Sequence, residues 1–174
     1  MSTNFFDEIF VRIKLAKNDD ERVKILRDNT STALKQVLYA NFSTRIKFLL
    51  PESATPFKPN NIASDLSLSS IYKESRKFYL FVQTGNANIS QIKREALWVE
   101  MLESVSAAEA EVLETVKNKA LEQKYGVTIE MVKAAFPDLL KPADLPAVVK
   151  PISTLPAAPK KRGRRPKKDV PESF

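Results

Sequence analysis

Ser106-Ala107-Ala108-Glu109-Ala110-Glu111-Val112-Leu113-Glu114-Thr115-Val116 decides the fold class. A serine followed three residues later by glutamate has the spacing of a capping box, which opens a helix. Ala110, Leu113, Val116 and Ala120 then recur at helical intervals, and Gly126 offers a left-handed terminator. Outward from here the same period returns. Asn88 or Ser90 starts a helix carrying Ile92, Ala96, Val99 and Leu102, and Leu68, Ile71, Tyr72, Ser75, Phe78, Tyr79 and Val82 mark another that ends near Gly85. Toward the N-terminus, residues 4–17 place Phe6, Ile9, Phe10, Ile13 and Ala16 on one face, with Asp7 and Glu8 at the positive end of the helix dipole. Asn18-Asp19-Asp20 caps a short helix whose Val23 and Leu26 face inward. Thr30 or Ser31 caps the next, with Leu34, Val37 and Leu38 on its inner side. A last helix follows Thr128 through Ile129, Val132, Ala135 and Phe136, and Pro137 stops it.

Between these helices lie two irregular stretches. Arg45-Ile46-Lys47-Phe48 alternates like a strand but has no partner strand in the sequence, so it reads as an extended packing segment. Residues 51–67 form a long loop whose only large apolar anchor is Phe57. Loops of that length are uncommon without a function or mobility of their own. The expectation is an all-α bundle of six or seven short helices over residues 1–140.

Composition narrows the chemistry. The chain has no cysteine and no histidine. Disulfides, thiol nucleophiles, imidazole ligands and histidine bases are therefore excluded together. Three glycines, none clustered, leave no phosphate-cradling loop. Only an all-carboxylate magnesium site stays formally open, and we expect neither a metal, a cofactor nor an enzyme. The N-terminal MSTNFFDEIFVRIK carries acids inside its apolar stretch and is not expected to be a signal peptide. No apolar run approaches the roughly 18 residues of a membrane span, so no membrane partner is expected.

Charge divides the chain in two. Of the net +7, residues 141–174 hold nine basic and three acidic residues, or +6, which leaves +1 for residues 1–140. Seven of the eleven prolines fall in the same C-terminal part. Periodicity is lost there, so 141–159 reads as a proline- and alanine-rich linker and 160–174 as a basic tail, both expected to be disordered.

Within the tail, Lys160-Lys161-Arg162-Gly163-Arg164-Arg165-Pro166-Lys167-Lys168 places seven cations in nine residues. Gly163 lacks a Cβ, so its backbone can press against a groove floor. The flanking arginines can extend along a narrow A·T minor groove, where negative potential is concentrated. The segment resembles an AT-hook, whose core is Arg-Gly-Arg-Pro. Arg162, Gly163 and Arg164 match, while Arg165 intervenes before Pro166. Double-stranded DNA is the partner this arrangement predicts. Such runs also serve as import signals, RNA-binding arms or docking peptides, whereas the lack of interleaved apolar residues disfavours a membrane surface.

Other candidates in the body have plainer readings. Tyr72, Phe78 and Tyr79 beside Lys73, Arg76 and Lys77 suggest stacking on single strands; helical spacing instead buries the aromatics and leaves the cations solvated, with Lys93-Arg94 extending that face. Trp98 reads as packing. Glu100, Glu103, Glu109, Glu111 and Glu114 read as exposed faces and helix starts rather than a carboxylate site.

The body is also similar to a family of T-even-like tailed phages. The similarity rests on Lys47-Phe48-Leu49-Leu50-Pro51-Glu52, on Ser70 through Phe78, on Leu102 through Ala110, and on Val127-Thr128 through Leu140. It covers about residues 5–140 and implies a setting, the cytoplasm of an infected bacterium, without an activity. In that setting nuclear import loses its meaning. The sequence thus predicts a phage DNA-binding accessory protein whose body engages a phage or host protein or oligomerises. The alternative is an assembly adaptor whose tail docks an acidic protein.

Overall fold

Asn18, Ser31, Ser90, Ser106 and Thr128 each accept a hydrogen bond from the backbone N–H three residues ahead. These five caps satisfy donors that a helix start would otherwise leave orphaned, and so fix where the helices begin. The computed structural model describes residues 4–85 and 88–144. Its elements are α1 (Phe6–Leu15), α2 (Asp19–Asp28), α3 (Thr32–Phe42), α4 (Ile71–Glu74), α5 (Gln91–Ser104), α6 (Ala107–Lys117), α7 (Leu121–Tyr125) and α8 (Ile129–Ala135). Short 3-10 turns occupy Ser75–Leu80, Gln83–Gly85 and Pro142–Asp144. The fold is all-α, and among the described residues no strand forms.

α6 is the axis of the bundle. It packs against α1, α3, α5 and α7, and α2 and α8 pair on the far side of α1. Phe6, Ile9, Phe10 and Ile13 of α1, Leu34, Val37 and Leu38 of α3, and Leu113 and Val116 of α6 are all fully buried. Each such side chain contributes about 1.5–3 kcal/mol through burial. A second cluster is aromatic: Phe81 and Phe48 meet the Trp98 ring edge-on at 5.0 and 6.1 Å.

Three expectations require correction. Residues 68–85 do not form one long helix. Only Ile71–Glu74 is α-helical, followed by the 3-10 turn Ser75–Leu80. A three-residue period aligns Ser75, Phe78 and Phe81, all buried, while Tyr79 points outward at 54% exposure and Leu68 at 83%. The tighter winding brings Val82 to a single antiparallel bridge with Phe48, joined by Leu49 N–H to Phe81 O (2.7 Å) and Gln83 N–H to Lys47 O (2.9 Å). The Arg45–Phe48 segment therefore has an extended partner after all, although one bridge does not make a sheet.

The buried face of α5 is rotated from the expected one. Arg94, Trp98, Met101 and Leu102 are buried, whereas Ile92 is 82% exposed and Ala96 is also exposed. The indole carries more apolar area than any alternative, and its N–H needs an acceptor that lies on α6. Arg94 is no part of a cationic face; its guanidinium is turned inward to Leu80 O (3.0 Å) and the Gln91 side chain (2.9 Å). Lys73, Arg76, Lys77 and Lys93 are exposed as expected.

The helix opened by Ser106 breaks at Asn118-Lys119-Ala120, so the described residues contain eight α-helices rather than the expected six or seven. Ala120 N–H bonds Thr115 O (2.9 Å) and Lys119 N–H bonds Val116 O (3.0 Å), the paired bonds of a Schellman motif, with Lys119 left-handed at φ 55°. Gly126, at φ 70°, ends α7 as expected.

Gly85 closes the 3-10 segment against its own chain. A Cβ there would stand 1.7 Å from the Tyr79 carbonyl oxygen, a distance no rotamer relieves. Gly85→Ala is expected to lower stability by about 2 kcal/mol or more in urea unfolding, because the backbone itself must move. An unchanged midpoint would show that this approach is not held in solution.

Candidate functional site

The predicted site, Lys160, Lys161, Arg162, Gly163, Arg164, Arg165, Pro166, Lys167 and Lys168, lies outside the described residues, as does most of the linker. Within the body, contacts continue through Asp144. Its side chain accepts from Arg45 Nε (3.0 Å), Tyr39 Oη (3.2 Å) and Lys141 N–H (3.0 Å), and its carbonyl from Thr44 N–H (2.8 Å). The chain therefore leaves the described body beside residues 43–45.

The body's polar groups are gathered where the 51–67 loop crosses α5 and α6. Glu114 is the centre. Its carboxylate accepts from Trp98 Nε1 (2.8 Å), Thr55 Oγ1 (2.7 Å) and Thr55 N–H (3.3 Å), and pairs with Lys117 Nζ at 2.9 Å. Lys117, its side chain 2% exposed, also donates to Ser53 O (2.9 Å) and Thr55 Oγ1 (3.1 Å). Further along, Lys58 N–H donates to Glu103 (2.9 Å) and Ala107 N–H to Asn60 O (2.8 Å). A loop with one aromatic anchor is thus tied to the bundle by charge-assisted hydrogen bonds. Burial alone would raise the Glu114 carboxyl, but hydrogen bonds from Trp98, Thr55 and Lys117, with the Lys117 charge, hold it below the ordinary carboxylate value.

Glu109 sits one turn earlier and is fully buried. Ser106 caps α6 through Glu109 N–H, but the Glu109 side chain does not return to the cap. It accepts instead from Ile71 N–H (3.2 Å), which ties the start of α4 to α6, and its other oxygen has no partner among the described residues. Burial pushes its carboxyl up to about 7; the Ile71 and Phe6 amides lower it and the Asp7 charge raises it again. The expectation that Glu109 and Glu114 lie on exposed faces is therefore wrong, while Glu100, Glu103 and Glu111 are exposed. The missed signal was α6 itself: Ala110, Val112, Leu113, Thr115 and Val116 wrap most of its circumference in buried residues, leaving only a narrow solvated strip at Ala108 and Glu111.

Above Glu109 an open groove of about 900 Å³ runs between the start of α1 and the start of α6, lined by Asn4, Asp7, Glu8, residues 60–65 and Ser106–Ala108. Ser64 and Ser106 hydroxyls stand 2.8 Å apart within it. The Ser106 oxygen is already engaged as a helix cap, and the Ser64 hydroxyl also donates to Asp7 Oδ1 at 3.4 Å. Among the described residues no three carboxylates are placed to hold a metal, and no helix is long and apolar enough to cross a membrane. Trp98 is 1% exposed and packs as expected, and its N–H adds an unexpected bond to Glu114.

The chain belongs to a family of unknown function (DUF6433), whose model matches residues 9–123. The match runs from within α1 into α7 and takes in every residue of the Glu114 clasp. No curated protein and no solved structure matches the chain.

Two predictions follow from the carboxylates. Removing one member of a buried pair strands the other, at about 3–5 kcal/mol. Glu114→Ala is expected to lose that much in urea unfolding and to expose the 51–60 amides to hydrogen exchange, whereas Glu114→Gln combined with Lys117→Met recovers most of it. Equal losses in the two variants would contradict the clasp. Glu109 carries the opposite pH sign. Its folded-state value lies above the unfolded one of 4.5, so charging it opposes folding: the native state is favoured below 4.5, and that advantage is lost as pH rises through about 7. The loss amounts to about 3 kcal/mol by pH 8. Glu109→Gln should flatten stability between pH 5 and 8, and a variant as pH-dependent as the parent would refute the assignment.

Proposed function

We propose that this chain is a phage DNA-binding accessory protein that acts in the cytoplasm of the infected bacterium. The tail Lys160–Lys168 contacts duplex DNA with a preference for the A·T minor groove, and the helical body binds a protein partner. The observation that carries the reading is the division of charge: +6 of the net +7 lies in residues 141–174. In the tail, Arg162-Gly163-Arg164 is the groove-inserting core of an AT-hook-like element, and Lys160, Lys161, Arg165, Lys167 and Lys168 reach the phosphates.

The body's acids support a non-enzymatic role, since Glu109 and Glu114 are consumed in holding α4 and the loop. Its protein-binding half is supported by Ile62 and Leu66 of the loop and Leu68 just after it, which are 50, 73 and 83% exposed within seven residues. Large apolar side chains concentrated in this way mark an interaction surface. On this reading the loop is held rigid by Glu114 and Lys117 so that its outer side chains are presented to a partner, and the linker raises the local concentration of the body along DNA.

Duplex binding by full-length protein should fall with salt at a log–log slope of about −5 to −6, as for six or seven neutralised phosphates. Arg162→Ala with Arg164→Ala is expected to abolish the preference for A·T-rich over G·C-rich duplexes and to leave weak, sequence-blind binding. Equal parental affinity for the two duplexes would remove the groove-reading claim and leave phosphate attraction. A tail that captures an acidic protein without DNA would favour the adaptor reading.

A further inference from the structure

A cleft of about 550 Å³ opens between the 47–52 segment and the α6–α7 turn, lined by Lys47, Phe48, Pro51, Lys117, Asn118 and Lys119 among its residues. Lys117 is committed to Glu114 and the loop. Lys47 and Lys119 differ: among the described residues neither has a carboxylate within 4 Å, although Glu52 lies on the cleft wall. Lys119 is held in place by its ammonium donating to Ser43 O at 2.6 Å.

Two features make this arrangement costly for stability alone. Lys119 occupies the left-handed position of a Schellman motif, where glycine is favoured and a side chain is strained. Lys119 is exposed as a residue, yet partial desolvation, and then the charge of Lys47, work against its protonation. Two cations that repel one another across a cleft with Phe48 and Pro51 in its wall are relieved by an anion between them. Strained backbone that presents a side chain into a cleft is a mark of a binding position.

The cleft also adjoins the root of the tail. Lys119 bonds Ser43 O, Thr44 donates its N–H to Asp144 O, and Asp144 is the last described residue of the chain. Residues 145–159 can span at most about 50 Å, so a duplex gripped by the tail stays within reach of this face. We propose that Lys47 and Lys119 form a phosphate-binding site that takes a backbone phosphate of the same duplex the tail holds. The site rests on the DNA-binding reading above and adds to it a fixed point of contact on the body. Asn118 supplies an uncharged donor at the mouth, and Phe48 and Pro51 make the phosphate's environment less aqueous, which strengthens the charge pairing.

The test uses full-length protein and a mixed-sequence duplex. Lys47→Gln with Lys119→Gln should make the salt slope shallower by about one, the loss of a single phosphate contact. Because Lys119→Gly relieves the left-handed backbone, it should keep the parental melting temperature and still make the slope shallower, an outcome a purely structural lysine would not give. Inorganic phosphate alone should shift the Lys47 and Lys119 side-chain resonances together, and the Lys93 resonances, outside the cleft, should stay still. Parental slopes in both variants would overturn the site, as would phosphate shifts shared equally by Lys93. The two readings separate cleanly. If the arginine variants of the tail leave duplex affinity unchanged while the lysine variants reduce it, the tail reading fails and the cleft stands. If only the tail variants weaken binding, the cleft fails and the tail reading stands.

Discussion

The pair Glu114–Lys117 is the constraint on which the body depends. It lies inside a helix that is otherwise wrapped in apolar contacts, and two charges in that setting are tolerated only when every lone pair and proton is engaged. The chain meets that demand with Trp98 on α5 and with Thr55 and Ser53 on the loop. One ion pair therefore determines three things: the rotation of α5, the path of the 51–67 loop and the depth of α6. The loop is long, carries few apolar residues and could not bury itself by hydrophobicity alone. Its conformation is a consequence of charge satisfaction.

Glu109 does for α4 what Glu114 does for the loop, with the opposite electrostatics. Glu114 is surrounded by donors and a cation, so its charged form is favoured. Glu109 is fully buried with only the Ile71 and Phe6 amides to oppose that burial, so its neutral form is favoured. Two carboxylates five residues apart on one helix thus respond to acid in opposite directions.

Much of the fold was legible because helices announce themselves through caps and period. Ser31 and Ser90 are the caps among the alternatives the sequence offered, and Ser106 and Thr128 cap as expected. The expected face of α1 is buried, and so is that of α3, to which Ala33, Ala40 and Asn41 are added. The failures share a cause. Between 68 and 85 the apolar residues fit both a 3.6- and a 3.0-residue period, and only the bridge to Phe48 and the Arg94 side chain, both distant in sequence, choose between them. On α5 the indole overrode a regular aliphatic stripe. On α6 the break falls where a lysine takes a glycine's place, which no turn preference predicts. Glu109 and Glu114 were misread because a carboxylate's burial is set by partners on other segments, and those do not appear in local spacing. The tail differs in kind: its charge and proline content are local properties of the sequence, and its residues lie outside the described ones.

The account divides labour between a body stabilised from within, which adds one phosphate contact, and a tail that provides most of the attraction to DNA. Duplex affinity of full-length protein and of a chain ending at Asp144, compared across salt, tests that division most directly. The cut follows Asp144 so that its bonds to Arg45, Tyr39 and Thr44 survive. The account predicts that truncation reduces the log–log slope to about −1, the contribution of a single body-bound phosphate. A slope that stays at the full-length value would contradict it.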